Sequence, residues 1–597
     1  MELSFKSKKL ENTLTVIKAL TSAMVVASFV LLFGFDRPLL PATILYTVQI
    51  VLLQVFIVGK IIRLLNSVSA KEYLLANWFE IPLLIGLGMV LAGAGIWFDR
   101  FGPSAVRHFS VGIYLVVEVI TKICRTTVSV AASGKNPTRT LIASFLVLIM
   151  SGTGLLMLPK ASTNENVGFI DAMFTATSAT CVTGLIVKDT GSDFTLMGQI
   201  IILSLIQLGG LGIIIFGAVF ALLLGQALSV RESVAMQDLL SASTLGRIGR
   251  IIGFIFMGTI FIEAVGTVGM LGMWNDVPGR IGSIEQQWFC SIFHSISAFC
   301  NAGFGLFSDS LISYNRSWGV YLGICPLIIL GGLGFGVLYD LAYIVADRVK
   351  RFCRRYLPRH MRSIEVPPPK RMQLQTKVVL SVSAMLIVLG TVGILLFGHY
   401  GGGEGAAKPG LLDAFFQSVT ARTAGFNTVD IASLSSSAKF ILILLMFIGG
   451  SPGSTAGGIK TVTLAVVIMA AVAALRKRQE VEMFRRSVRI AVVGRAITVI
   501  LLFVVVLFAA TLALSITESS NGYSLADIFF ESASALGTVG LSTLTTEQTE
   551  ALTTIGKLII IAAMLIGRLG PLTLLAALTF DIKPAKYNYP DEAIMVG

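Results

Sequence analysis

The 597-residue chain is 55% hydrophobic and 13% charged, with a mean hydropathy of +0.84, a balance that excludes a string of soluble domains and places the chain in a lipid bilayer. Its 59 glycines and 17 prolines stand among apolar runs of membrane-spanning length, which excludes collagen-like, disordered and disulfide-scaffold classes. The net charge of +13 marks the cytoplasmic loops of a polytopic protein rather than a nucleic-acid surface, and the six cysteines show no metal-ligand spacing.

A helix crossing about 30 Å of hydrocarbon needs about 20 apolar residues. Twelve stretches are candidates: 13–35, 39–65, 77–98, 109–123, 140–158, 196–227, 251–274, 317–346, 375–398, 438–475, 488–516 and 555–580. The first is too long for a cleaved signal peptide and no small-residue cleavage pattern follows it. The fourth carries Glu118 and Lys122; the runs 196–227 and 438–475 exceed thirty residues, so tilt or breaks are expected there. Every second loop is basic: Lys6, Lys8 and Lys9; Lys60, Arg63 and Lys71; Arg125, Lys135 and Arg139; Arg231, Arg247 and Arg250; Arg348 to Lys377, with ten basic residues and one acid, Glu365, around Pro367, Pro368 and Pro369; and Arg476 to Arg489. These loops read as cytoplasmic, which puts the N-terminus inside and the protein, multi-pass, in the plasma (inner) membrane.

Between paired spans, on the outer side, lie four segments too short to cross: FTATSATCVTGL from Phe174, FHSISAFCNAGF from Phe293, FFQSVTARTAGF from Phe415 and FFESASALGTVGL from Phe529. They align without gaps on Gly184, Gly303, Gly425 and Gly540, which are 119, 122 and 115 residues apart. A phenylalanine stands ten residues before each glycine, and a serine six before it in three copies (Ser178, Ser297, Ser534), with Val419 the exception. A second glycine column, Gly209, Gly331, Gly449 and Gly567, keeps the same period, at 122, 118 and 118. The expected fold is an all-α polytopic membrane protein of four fused helix, pore-loop, helix repeats around a central pore, with about four extra N-terminal helices. Its divisions are 1–135 (extension), 136–245, 246–365, 366–485 and 486–597 (repeats one to four).

Non-helical backbone at membrane depth must be buried in protein or border a water-filled cavity. The four dips therefore meet at a pore, each a short helix ending in an extended strand at glycine, whose carbonyls replace an ion's hydration shell. The predicted filter residues are Val182, Thr183, Gly184; Asn301, Ala302, Gly303; Thr423, Ala424, Gly425; and Thr538, Val539, Gly540, suited to an alkali cation.

These motifs resemble the Trk/Ktr/HKT superfamily of potassium transporters over roughly residues 140–597, through SATCVTGL, QLGGLG, SVTARTAGFNT, GGSPGSTAGGIKT and GRLGPLT. Ala421 stands where the resemblance leads one to expect proline, and the C-terminal YPDEAIMVG from Tyr589 resembles the Ktr branch. The resemblance implies potassium uptake with no bound cofactor, a homodimer, and a cytoplasmic ring of nucleotide-binding regulatory subunits of the RCK/KTN type. It also implies that a serine in place of the first filter glycine marks sodium-preferring members, and all four glycines are present here. In the family the helix after the third dip is broken into a gating loop. The matching segment holds Gly449, Gly450, Ser451, Pro452, Gly453, Ser454, Ala456, Gly457 and Gly458, followed by Lys460. Such a run cannot be continuous helix, since proline removes a donor and glycine adds conformational cost. A phosphate loop is excluded because Gly458, Ile459 and Lys460 break the required spacing.

Charges within spans need a reason. Arg568 has two readings: a cationic barrier below the filter, by family analogy, or a packing arginine bonded to carbonyls. Lys460 closes the expected gate loop, holding it to other helices or snorkelling. Glu263 pairs with a cation, binds a coupling ion, or is a buried structural partner. Glu531 and His294 share a column nine before the glycine, where an outer-facing acid raises local cation concentration and His294 reads as a packed core residue. The rival function is a sodium- or proton-coupled secondary carrier with a midplane site; it predicts inverted repeats, whereas the loop charges run all four the same way. A membrane hydrolase lacks its constellation, since none of the four histidines accompanies a serine or cysteine in a recognisable pattern.

Overall fold

The computed structural model describes residues 6–35, 38–77, 80–97, 103–133, 137–163, 167–212, 248–355, 371–401, 407–478 and 480–578. Lys135, Arg231, Arg247, Glu365, Pro367 to Pro369 and the motif from Tyr589 lie outside the described residues. The described chain is helical apart from one hairpin, Val481–Met483 paired antiparallel with Arg486–Val488, in the basic loop after the third repeat.

The N-terminal extension is α1 (Lys8–Phe33), α2 (Ala42–Asn66), short α3 (Ala70–Ala76), α4 (Glu80–Trp97) and α5 (Pro103–Ser133). Serine hydroxyls open α1 and α3: Ser7 accepts from the Leu10 N–H and Ser69 from that of Glu72, satisfying donors that a helix start leaves bare. The predicted fourth span, 109–123, is the middle of α5, which runs 31 residues. Val25, Leu52, Phe56, Tyr114 and Leu115 form the buried apolar centre of this unit.

Four repeats follow. Their first helices are Pro137–Leu156, Ile248–Met270, Leu374–Tyr400 and Ile490–Thr517, and their pore helices are Phe169–Cys181, Ile284–Cys300, Leu411–Thr420 and Leu525–Gly537. The second helices open on hydroxyl caps in three repeats, Thr195, Ser435 and Thr553. Tilt or breaks were expected only in the two longest spans, yet the second helices of repeats two and four break as well. Leu196–Leu211 stops at Gly212 (φ +82°), Cys325–Leu333 meets Phe335–Arg355 at Gly334 (φ +89°), and Thr554–Leu569 meets Pro571–Leu578 at Gly570 (φ +85°). Each of these glycines lies three residues after the second glycine column and takes a left-handed backbone that other residues resist. In the third repeat, Ser436–Phe447 and Thr461–Leu475 are separated by a loop. Among the described residues, six helices are long and apolar enough to cross a bilayer unbroken, and Val320–Leu333 with Phe335–Cys353 forms a pair bent by 104°.

Lipid tails are as apolar as leucine, so helices in a bilayer associate through close packing and hydrogen bonds between small or polar residues. The second glycine column serves this end. A Cβ on Gly209, Gly331 or Gly567 would overlap the carbonyl oxygen of Thr180, Phe299 or Leu536, each four residues before its repeat's filter glycine. Gly449 breaks the pattern: its crowding neighbour is the Gly457 carbonyl of its own loop. First helices meet pore helices in the same manner. The Ser295 hydroxyl donates to the Glu263 carbonyl (2.7 Å) and Ser418 to the Ile387 carbonyl (2.8 Å), beside Gly266 and Gly390 respectively.

On the side of the ring away from the broken helices, Arg280 before the second pore helix forks onto Asp309 after the second pore loop, one arm at 3.1 Å, with its guanidinium 4.5 Å from the Phe307 ring centre. Burial pushes the Asp309 carboxyl up, but the Arg280 guanidinium and the Ser313 hydroxyl outweigh it and hold the group below the ordinary carboxylate range. A depressed folded value contributes stability above the unfolded value of about 3.9, and loses it as pH falls through the folded one. Asp309→Asn is thus expected to lower the unfolding temperature at pH 7, with the gap from the unaltered protein closing below about pH 4; a pH-independent gap contradicts this. Gly331→Ala is expected to destabilise by about 1–3 kcal/mol through overpacking, whereas Gly336→Ala, which meets nothing within 4 Å, is expected to be neutral; thermal unfolding of purified protein checks both.

Candidate functional site: a ring of four glycines above a broken helix

The four pore helices point their C-terminal ends at one place. Val182, Asn301 and Thr538 cap three of them in left-handed backbone (φ +58°, +58° and +50°), and Thr423 takes the same conformation at φ +76°. Two residues on, Gly184, Gly303, Gly425 and Gly540 have φ of +95°, +70°, +82° and +89°. The repeated signs turn each strand the same way after its helix.

The glycines close a ring. A Cβ on Gly184 would stand 2.5 Å from the Ala302 carbonyl oxygen, on Gly303 2.8 Å from that of Ala424, and on Gly425 2.6 Å from that of Val539; on Gly540 it would overlap the Thr183 oxygen. Repeat one thus abuts two, two abuts three, three abuts four and four returns to one. All twelve sequence-predicted filter residues are brought together here. The hydroxyls of Thr183, Thr423 and Thr538 are buried without a protein partner, leaving oxygens free for a cation.

The serine column fixes this geometry. The Gly184 N–H donates to the Ser178 hydroxyl and that of Gly540 to Ser534, each at 3.1 Å, while Ser297 donates to the Phe304 carbonyl at 2.7 Å. The residue before each of these glycines donates its N–H to the same serine's carbonyl, at 2.8, 2.8 and 2.9 Å for Thr183, Ala302 and Val539. Val419 has no hydroxyl, the third pore helix stops two residues short of its counterparts, and the Ala424 N–H turns to Thr420 at 2.8 Å. Ala421, at the expected proline position, carries this earlier stop with φ −58°.

Below the ring lies the segment expected as a gate. Ile448 and Ile459 pair as an isolated bridge, the Gly449 N–H donates to Ile459 (3.0 Å) and the Thr461 N–H to Gly450 (3.1 Å), so the loop closes on its own base. Its tip is held by neighbouring repeats. The Ser451 N–H donates to the Gly332 carbonyl (3.0 Å), and the Thr455 hydroxyl lies 3.2 Å from the carbonyls of Phe299 and Gly331. Gly457 abuts the Thr538 hydroxyl so closely that a Cβ would overlap it, while Gly450 is crowded by Ala456 and Gly453 takes φ +69° in open space. Gly458 turns at φ +65°. Lys460 donates to the Ala456 carbonyl (2.8 Å) and the Gly457 carbonyl (3.3 Å), so it ties the loop to itself rather than to other helices. Arg568 of repeat four donates to the Thr455 carbonyl in this loop and to the Gly209 (2.5 Å) and Gly210 (3.2 Å) carbonyls of repeat one.

Outside the ring opens a cavity of about 720 Å³ lined by the four glycines and by Asp189, Asp193, Asp309, Asp430, Glu547 and Glu550 against Lys188. The Lys188 ammonium is hydrogen-bonded to Glu550, which holds it above its ordinary pKa. The mouth carries an excess of negative charge that focuses cations. Glu531, expected to face outward, is instead buried at 3% exposure: its carboxylate accepts from the Ser542 hydroxyl (2.5 Å) and the Thr543 N–H (3.0 Å) and so pins the strand after the fourth filter. His294 is a packed core residue, stacked on Phe307 and tilted against Trp274. Glu263 meets Gln207 at 3.3 Å. Arg422, at 8% exposure next to Thr423, was missed in the sequence although it is a charge inside a filter motif.

Comparison with known proteins fits this geometry. The family described as "TrkH: Cation transport protein" matches residues 107–588. The chain is 38% identical over 469 residues to the "Ktr system potassium uptake protein B" of Bacillus subtilis (strain 168), covering 77% of this chain and 97% of that one. It is 36% identical over 468 residues to the "Potassium/sodium uptake protein NtpJ" of Enterococcus hirae, at the same coverages. The fold is that of the crystal structure of the potassium transporter TrkH from Vibrio parahaemolyticus, with a TM-score of 0.56 at 18% identity, over 85% of this chain and 98% of that one. Two full-length relatives above 35% identity and a family match over most of the length leave one assignment: the chain belongs to the Trk/Ktr family of cation transport proteins.

Proposed function

We propose that the chain takes up potassium through the ring of Gly184, Gly303, Gly425 and Gly540, with the loop from Gly449 to Lys460 and Arg568 forming the gate beneath it. The observation that carries this reading is the closed cycle of glycine-to-carbonyl contacts: only backbone oxygens and a few hydroxyls face one another there, and such oxygens suit a dehydrated alkali cation. The acidic mouth supports entry from the outer side, and the uptake of potassium named for the Bacillus subtilis relative agrees with it. A midplane carrier site is not favoured, because the four repeats share one direction of the chain. The cytoplasmic N-terminus, the repeat divisions given above, a homodimer and cytoplasmic nucleotide-binding regulatory subunits belong to the same reading.

Gating follows from connectivity. The loop blocks the path while Arg568 bridges Thr455 to the carbonyls of Gly209 and Gly210; release of that bridge frees the loop from repeat one. The guanidinium stays charged at any accessible pH, so while it faces the path it also repels cations.

Reconstituted protein in liposomes, assayed for rubidium, potassium and sodium flux, tests the reading. Potassium and rubidium are expected to pass in preference to sodium, and equal fluxes contradict the filter. Gly184→Ser places a Cβ against the Ala302 carbonyl and is expected to lower the potassium-to-sodium ratio roughly tenfold, the equivalent of losing about 1.4 kcal/mol of differential coordination. Ser534→Ala strands the part-buried Gly540 N–H at a cost of about 1 kcal/mol, and is expected to lower both the unfolding temperature and selectivity. Arg568→Gln is expected to raise flux per assembled molecule about tenfold, by removing charge-assisted hydrogen bonds, with the ion ratio unchanged; a decrease per molecule assigns Arg568 to packing alone.

A further inference from the structure

The N-terminal extension holds a charge cluster that potassium passage does not use. All of α1 to α4 precedes residue 107, where the family match begins. Four cations and three carboxylates meet there: Glu11 and Lys18 on α1, Lys60 and Arg63 on α2, Glu80 on α4, and Glu118 and Lys122 on α5. Lys60 is bonded to Glu118, 3.3 Å from Glu80 and 2.9 Å from the Tyr114 hydroxyl; Lys18 is 3.3 Å from Glu118; Arg63 is 3.0 Å from both Glu11 and the Thr15 hydroxyl. The three carboxylates are therefore shared among Lys18, Lys60 and Arg63. The Lys122 ammonium is buried with no hydrogen-bond partner, and the charges acting on it are Lys18 and Arg63, both of its own sign.

An excess cation in such surroundings is costly and calls for an anion. The fold leaves room for one. A cavity of about 250 Å³ opens among Lys18, Lys60, Arg63, Glu11 and Glu80, with Tyr73 and Asn77 at its edge. Glu11 and Arg63 lie within one turn of the ends of α1 and α2, at the level where a helix of this length leaves hydrocarbon for headgroups. Glu11 and Arg63 are also the most exposed pair of the cluster, at 21% and 17%, so Arg63 is the member freest to exchange its carboxylate for an arriving group.

We propose that this cavity binds a phosphate-bearing anion, held by Arg63 and Lys18 with Lys122 supplying further positive potential. A guanidinium fork matches two phosphate oxygens, and Glu11 is the group that the phosphate displaces. The phosphate comes from the headgroup of an anionic phospholipid or from free phosphate. α5 joins the first pore repeat three residues on, between Ser133 and Pro137, so occupancy is felt at the start of the pore domain.

The test uses the full-length protein in detergent, titrated with phosphatidylglycerol, with phosphatidylcholine and with inorganic phosphate, and followed by the shift of the unfolding midpoint with ligand. Saturable stabilisation by phosphatidylglycerol but not phosphatidylcholine is expected, and competition by inorganic phosphate separates free anion from lipid as the source. Arg63→Gln is expected to weaken binding about tenfold, whereas Glu11→Gln, which removes the competing carboxylate, tightens it. A merely structural ion pair moves both variants in one direction. Lys122→Gln strands no partner and serves where Arg63→Gln does not fold; it too is expected to weaken binding. Equal response to both lipids with none to phosphate, or the same sign for Glu11→Gln and Arg63→Gln, overturns the proposal.

Discussion

Four peptide strands can meet on one axis inside a bilayer only if nothing but backbone stands between them. The distances at Gly184, Gly303, Gly425 and Gly540 put each within reach of the carbonyl of the next repeat, and that mutual approach dictates much of what surrounds it. Left-handed residues two positions earlier must aim the strands, serine hydroxyls must take up the glycine N–H groups, and the pore helices must end where a second glycine column lets the following helix pass close by. Each requirement arises because a polar backbone group at this depth has no water to fall back on.

The third repeat satisfies these demands differently. It lacks the serine, ends its pore helix early, and spends its second glycine on its own loop. What the other repeats use to hold a helix against the pore, this one uses to fold a helix away from it. The loop's free backbone groups are then met by carbonyls and donors of repeats two and four, including Gly332, Gly331 and Arg568. The arrangement below the ring thus draws directly on repeats two, three and four, and on repeat one through Arg568, which also holds the Gly209 and Gly210 carbonyls.

The ring was legible in the sequence because four copies of a short dip, too short to cross and in register, fix which glycines must meet. The breaks at Gly334 and Gly570 were less so: a glycine inside an apolar run is also a close-packing residue, whereas the length of the runs 196–227 and 438–475 raised a tilt or break there and Pro452 marked the second outright. The side of the pore helix that Glu531 faces was illegible, since nine residues before a glycine fixes a register but not a depth, and the Ser542 hydroxyl that captures it lies beyond the turn. Arg568 showed as an intramembrane charge, yet its acceptors are carbonyls of residues 209, 210 and 455, which no local pattern connects to it. In the extension, individual charges were visible at Glu118 and Lys122, but their assembly across four helices was not.

The fusion of four units into one polypeptide has a consequence for how such a path can change over time. In an assembly of identical subunits every substitution is copied around the axis, so a loop that serves in one quadrant would appear in all four and choke the opening. Here Gly449 faces its own loop while Gly209, Gly331 and Gly567 keep their helices in place. One quadrant is free to drift while three keep their close packing, and a single codon suffices to alter the one without touching the others.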